Sequence, residues 1–253
     1  MKERLDKILT DLSLVKSRTA AAQLIKEGCV SVNGTAVTRP AEQFDSENDR
    51  FEINEKSDIL KYVGRGGLKL EKAITDFAVN LDGKVCMDIG ASTGGFTDCM
   101  LKNGASRVYS VDVGHDQLAP ILRSDKRVVS LEGLDIRNAG ESEIADKIDF
   151  FSIDVSFISL KLILPELKRF CADKSECVAL IKPQFEQGKH KVGKNGVVKD
   201  KKIHEKITAD MRDFAAGLGY CGISVIPSPI KGGDGNTEFL MHFFIEKSEE
   251  KLQ

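Results

Sequence analysis

No stretch of this 253-residue sequence reaches the roughly 18 consecutive apolar residues that a membrane-spanning helix requires. The first residues, Met1-Lys2-Glu3-Arg4, run straight into a charged amphipathic segment rather than an apolar leader, so a cytoplasmic protein is expected. Six cysteines (Cys29, Cys86, Cys99, Cys171, Cys177 and Cys221) occur without one C-x-x-C pair. Reduced thiols are therefore expected, with Cys86 and Cys177 inside apolar, strand-like runs. The four histidines have no ligand spacing, which removes a zinc site from the expectations and leaves no metal. Internal repeats and low-complexity segments are also missing.

What is present is uneven charge. The net formal charge is only −2. Residues 1–40 nevertheless carry seven Lys/Arg against four Asp/Glu, and residues 41–60 carry seven acids against two bases. Between Lys189 and Lys202 there are six lysines and one aspartate. Basic faces set apart by an acidic connector suit a polyanionic partner, although ordinary solvated charge produces the same counts.

Two organisational regimes follow. Near the start, Leu5, Ile8, Leu9 and Leu12 recur at helical spacing, Ser17 is placed to cap a second helix, and Gly28 to end it. Val30 to Val37 alternates around Asn33-Gly34, a strong hairpin signal. Another short strand is expected near 50–54, then a linker at about 55–63. From Gly64 the pattern becomes alternating strands (84–89, 107–113, 128–132, 150–155, 177–182, 220–226, 239–246) and helices (67–78, 96–103, 159–171, 200–217). Near-continuous apolar strands of this kind are buried on both faces. The expected fold class is α/β, a doubly wound Rossmann-like sheet with its ligands at the carboxyl ends of the strands.

The richest segment is Val85-Cys-Met-Asp88-Ile-Gly90-Ala91-Ser92-Thr-Gly94-Gly95-Phe96, an apolar strand entering a glycine turn and then a helix. Glycines allow close approach of a ligand to the backbone. A dinucleotide fingerprint wants glycine at 92, where Ser92 stands, whereas Asp88 suits the amino group of a cationic cofactor, S-adenosylmethionine. Asp112, ending the next strand, is placed to grip a ribose, and Asp135, after the third, to meet an adenine amine. A purely structural turn is the competing reading. Asp154 and Lys182 end the fourth and fifth strands of the large sheet. A partly desolvated lysine at such a place can act as a base, although a loop cap and a snorkelling surface lysine are the plainer alternatives. Base-amine methylation is disfavoured because Asp154-Val-Ser-Phe157 stands where an Asp-Pro-Pro-Tyr type motif would be needed. Pyrimidine C5 chemistry is disfavoured because Cys171 and Cys177 are expected away from the cofactor edge.

These residues together resemble the hemolysin-A-type (TlyA) ribosomal RNA methyltransferases over nearly the whole chain. Arg4-Leu5-Asp6, Ser17-Arg18, Leu24-Ile25, Gly28 and Val30-Ser-Val-Asn-Gly34 resemble an S4 RNA-binding domain, placed at 1–60, and residues 64–247 resemble an FtsJ-like methyltransferase domain. The resemblance implies a seven-stranded methyltransferase sheet with an antiparallel last strand, preceded by a small α+β S4 domain. It implies Lys69, Asp154, Lys182 and Glu238 as the catalytic set. The cofactor residues would be Asp88, Gly90, Ala91, Ser92, Gly94, Gly95, Phe96, Asp112 and Asp135, and the cofactor S-adenosylmethionine. Arg4, Lys16 and Arg18 would contact RNA. The implied activity is methylation of a ribose 2′-hydroxyl, of a cytidine, in ribosomal RNA within a ribosomal subunit, the large one favoured, with no membrane partner. A membrane-active hemolysin-like protein and an RNA-binding protein without activity are the alternatives.

Overall fold

The computed structural model describes residues 2–15, 17–26, 28–54, 61–187, 197–232 and 235–246, the side chain of Gln23 excepted. The chain forms two compact units, Met1–Lys61 and Tyr62–Gln253.

In the first unit, β1 (Lys2–Arg4) leads into α1 (Leu5–Asp11) and α2 (Arg18–Lys26), followed by β2 (Val30–Val32), β3 (Thr35–Val37), β4 (Gln43–Asp45) and β5 (Phe51–Ile53). Ser17 caps α2 by accepting the Ala20 N–H at 3.2 Å. Asn33 and Gly34 both take positive φ, which turns β2 back on β3. Leu5, Leu9, Leu24, Ile25 and Val30 close a small core. Leu12, expected on the buried face, follows α1 and is 47% exposed, because the helix stops one residue short of the next inward position. The pair β1–β4 went unread, since three-residue strands such as Lys2-Glu-Arg4 carry no apolar alternation.

The second unit is a three-layer sandwich. Its strands are β6 (Val85–Ile89), β7 (Arg107–Asp112), β8 (Val128–Glu132), β9 (Ile148–Ile153), β10 (Cys171–Ile181), β11 (Cys221–Pro227) and β12 (Phe239–Glu246), ordered β11-β12-β10-β9-β6-β7-β8. The pairs among β6 to β10 are parallel, while β12 runs antiparallel to both β10 and β11. The helices are α3 (Gly66–Asp76), α4 (Gly95–Lys102), α5 (Pro120–Arg123), α6 (Leu167–Phe170), α7 (Pro183–Glu186) and α8 (Lys201–Gly217).

Period-two alternation divides the sheet. Met87, Phe151, Ile153, Ala179 and Phe243 pack with Leu167, Ile207, Met211 and Ala215 on one face. Cys86, Phe150, Val178 and Leu240 pack with Leu70, Ala73, Phe96 and Met100 on the other. Truncating a fully buried phenylalanine such as Phe150 to alanine costs about 3–5 kcal/mol.

The continuous helix expected over 159–171 is not formed. Residues 160–162 and 164–166 make two 3-10 turns, and only Leu167–Phe170 is α-helical. Pro165 has no N–H to donate, so the segment restarts there while still burying Leu160, Leu164 and Leu167. Consequently Cys171 begins β10 rather than ending a helix, and Cys177 lies inside the strand, fully buried. Burial pushes the Cys86 thiol up to about 12 and raises that of Cys177 as well, consistent with inert core residues.

Candidate active site

Five chain segments meet at the carboxyl edge of the parallel strands. Ile89 pairs with Ile153, so Gly90 and Asp154, the next residue of each strand, lie side by side, and the Asp154 N–H donates to the Ile89 carbonyl at 2.9 Å. A Cβ on Gly90 would stand 2.5 Å from the Asp154 carbonyl oxygen, and φ there is +84°, so glycine is required on two counts. Ile181 pairs with Phe239, which sets Lys182 beside Glu238 across the antiparallel ladder. The fourth member comes from α3. Gly67, the second residue of that helix, lies against the Tyr62 ring, and Gly95 meets the Gly64 and Gly67 backbone, where a Cβ would come within 3.0 Å. This close helix contact seats Lys69, one turn into α3, over the strand ends.

The four side chains form an alternating chain of charge. Lys69 Nζ lies 2.7 Å from Glu238 Oε2 and 3.8 Å from Asp154 Oδ2, and Lys182 Nζ lies 2.6 Å from Asp154 Oδ1. Lys182 also donates to Ser156 Oγ at 2.8 Å. The contacts to Glu238 Oε2 and Asp154 Oδ1 are ion pairs by distance whose angles close no hydrogen bond. Lys69, Lys182 and Glu238 are buried, and Asp154 is mostly so. Charges so deep persist only when paired. Glu238 is confined further by Gly232, where a Cβ would stand 2.4 Å from its Oε1.

Next to this set is a cleft of about 320 Å³, lined by residues that include Gly90, Ser92, Asp112, Val113, Leu134, Asp135, Ile136, Asp154 and Ile158. Of the expected cofactor residues, Gly90, Ser92, Asp112 and Asp135 line it. Asp112 accepts the Ser92 N–H and the Gly114 N–H, each at 2.7 Å, and so ties the two loops of the cleft together. Asp135 caps a 3-10 turn and is already bonded to Arg137, which holds its carboxyl below the usual range. Ala91, Gly94, Gly95 and Phe96 are buried and support the loop instead of lining the cleft. Asp88 is entirely buried beneath it. Thr97 donates to its Oδ2 at 2.7 Å and Ser152 to its Oδ1 at 3.0 Å, and burial pushes its carboxyl up to about 7. Asp88 braces the turn and presents no open carboxylate to the cleft.

Two features had no sequence signal strong enough to flag them. Phe157, three residues beyond Asp154, is 91% exposed with φ +65°, and its ring lies 5.1 Å from that of Phe185. A non-glycine residue in this conformation is held there by its surroundings, commonly at a functional edge. Arg65 precedes Gly66, whose Cβ would lie 3.9 Å from Asp154 Oδ2. Arg65 is half-buried and, among the described residues, meets no carboxylate. In the first unit, Arg4 and Arg18 converge on the buried Asp6, at 2.8 and 3.2 Å, and hold its carboxyl below the usual range. Lys16, grouped with them by sequence, lies outside the described residues, as do three of the six lysines from 189 to 202.

The chemistry of the lining is selective. Among the described residues, three carboxylates, Asp112, Asp135 and Asp154, and no Lys or Arg side chain line the cleft beside its apolar walls. Such a field repels a pyrophosphate and favours a cationic ligand with a flat apolar body. Among the described residues, no group of three or more His, Cys, Asp or Glu side chains is arranged to hold a metal ion.

Residues 62–244 match the FtsJ-like methyltransferase family, and residues 3–51 match the S4 domain. The chain is similar to the 16S/23S rRNA (cytidine-2′-O)-methyltransferase TlyA of Mycobacterium tuberculosis, at 38% identity over 239 residues, covering 94% of this chain and 88% of that protein. It is 33% identical over 242 residues to the 23S rRNA (cytidine-2′-O)-methyltransferase TlyA of Campylobacter jejuni, covering 90% and 94% of the two chains. The solved structure of a Streptococcus thermophilus protein named as a hemolysin superposes with a TM-score of 0.77 at 44% identity, covering 98% of this chain and 90% of that one.

Proposed function

The chain belongs to the FtsJ-like methyltransferase family, and from that premise we propose that it methylates the ribose 2′-hydroxyl of a cytidine in ribosomal RNA. The observation that carries this reading is the Glu238–Lys69–Asp154–Lys182 chain of ion pairs beside a cleft suited to a cationic, adenine-bearing ligand. Gly90, Ser92, Asp112 and the apolar wall of Val113, Leu134, Ile136 and Ile158 would hold S-adenosylmethionine. When bound, it supplies an electrophilic methyl group on a sulfonium, whose departure as a thioether needs no acid.

A ribose hydroxyl becomes a good nucleophile only on losing its proton, so one base is the minimum requirement. Lys182 is the candidate. Ser156 takes one hydrogen bond from its Nζ and Asp154 Oδ1 holds it by charge at 2.6 Å, and the acceptor hydroxyl would take a further position around it. In its neutral form the lone pair would point there. Lys69 screens Asp154 from Glu238 and shares its charge from the far side, so the carboxylate that orients Lys182 stays in place through proton removal. Alignment and preorganised charge supply the acceleration, without a covalent intermediate.

The exposed Phe157 and the half-buried Phe185 form an aromatic ledge where a base swung out of its stack would rest. The S4 unit, whose basic excess is confined to its first 40 residues, would supply sequence-independent grip on the RNA backbone. The large ribosomal subunit is the proposed location of the target, in line with the activity given for the Campylobacter jejuni relative. Among the described residues no helix is long and apolar enough to cross a membrane, so a hemolysin name finds no such helix to rest on. Mapping 2′-O-methylation in both ribosomal RNAs, with and without the gene, tests the proposal. Identical maps would reject it.

A further inference from the structure

Glu186 is a half-buried carboxylate that the chemistry above does not use. It lies on α7, four residues beyond Lys182, yet both its oxygens bond to the loop that follows Asp154. Oε2 accepts the Ser159 hydroxyl at 2.5 Å, and Oε1 accepts the Leu160 N–H at 2.8 Å. The Ser159 oxygen in turn accepts the Lys161 N–H at 3.2 Å, so its proton is directed at Glu186. Burial raises the Glu186 carboxyl, against the two donors that favour its charged form.

The loop it holds does two jobs. Val155, Ser156, Phe157, Ile158 and Ile163 form one wall of the cleft, and Ser156 also bonds Lys182. Within it Phe157 keeps a φ of +65°, from which an L-residue relaxes if its neighbours are loosened. Glu186 itself does not line the cleft. We propose that Glu186 is a positioning residue that ties the Asp154 loop to the Lys182 segment, so that the wall of the cofactor cleft and the proton-removing pair are held as one piece. The inference rests on the reading that the cleft takes S-adenosylmethionine. It predicts that a residue outside the cleft governs affinity within it.

The test is calorimetric titration of S-adenosylhomocysteine into the full chain and into Glu186→Ala, Glu186→Gln, Ser159→Ala and the Glu186→Ala/Ser159→Ala double variant. Single-turnover methyl transfer and thermal melts accompany each titration. Glu186→Ala is expected to weaken binding about tenfold, the equivalent of one charge-assisted hydrogen bond, and to slow transfer. Glu186→Gln, which still accepts the Leu160 N–H, should recover part of both. Ser159→Ala should weaken binding about threefold and add little to Glu186→Ala, as residues acting through one contact do. A folded Glu186→Ala protein with unchanged binding and turnover overturns the inference, and so does full additivity of the two single variants. Should Glu186→Ala not fold, unchanged binding by both Glu186→Gln and Ser159→Ala overturns it equally. No binding by the unsubstituted chain would reject the cofactor reading, and the inference with it.

Discussion

Glu238→Gln separates the stability of the site from its chemistry. The substitution preserves volume and removes one charge. It leaves the Lys69 ammonium, 9% exposed, facing only Asp154 at 3.8 Å where Glu238 had stood at 2.7 Å. Breaking a buried pair from one side costs about 3–5 kcal/mol, and the remaining Asp154 places this case near the lower end. In a unit of roughly 190 residues each kcal/mol moves the melting temperature by about 2–4 °C, so a fall of about 6–12 °C is expected. Methyl transfer should fall at least about tenfold, because Lys69 is drawn toward the carboxylate that orients Lys182. Affinity for S-adenosylhomocysteine should hold, since neither Lys69 nor Glu238 lines the cleft. The apolar double variant Lys69→Met/Glu238→Leu should regain most of the lost melting temperature, as buried pairs replaced by packed apolar residues commonly do. It should remain inactive. Circular dichroism melts and single-turnover transfer of a labelled methyl group to ribosomal subunits read both properties. An unchanged melting temperature in Glu238→Gln refutes the buried charge pair, and activity in the apolar variant refutes its part in catalysis.

Further outcomes follow from other residues. Lys182→Arg keeps charge but stays protonated, so it should be nearly as inactive as Lys182→Ala; near-normal turnover would move the base elsewhere. Asp112→Asn should weaken S-adenosylhomocysteine by one to two decades through loss of charge-assisted bonds to Ser92 and Gly114, and equal calorimetric affinity would contradict it. Burial raises the Asp88 carboxyl to about 7, above its unfolded value, so the folded state holds the extra proton and stability falls as pH rises from about 4 to 7. Asp88→Asn should lose that dependence, on the order of a few kcal/mol, and parallel melting curves for both proteins across this window would rule it out. Arg65→Ala should raise the KM for RNA and flatten its salt dependence while leaving cofactor affinity intact, and an unchanged salt slope would remove Arg65 from the RNA path.

The strand-ending residues were legible because an apolar run that stops on Asp154 or Lys182 marks the edge where ligands sit. Glu238 became legible only through the family resemblance, since nothing in Asn-Thr-Glu238-Phe announces that an antiparallel ladder will bring it beside Lys182. Asp88 was readable as part of the loop but not as a brace, because its hydroxyl partners Thr97 and Ser152 come from an adjoining helix and a neighbouring strand. The segment 159–171 misled for a physical reason. Leu160, Ile163, Leu164 and Leu167 do all face inward, and 3-10 turns interrupted by Pro165 give nearly the same spacing as a helix. Glu186 was silent, because a carboxylate bonded to residues 26 and 27 positions away has no local signature.

The ladder between β10 and β12 acts as a ruler with one calibrated end. Its register, Ile181 opposite Phe239, fixes Lys182 and Glu238 as neighbours whatever lies between them in sequence. Insertions in the connection between the two strands are therefore open to this lineage, and natural length variation should collect there. A single-residue insertion inside β12 is a different event. With the rest of β12 kept in register by its buried face, it would push the preceding Glu238 one position along the ladder and strip Lys69 of its partner while leaving every catalytic residue present in the sequence. Homologues with an intact set of four but an altered β12 length should accordingly be sought among inactive proteins.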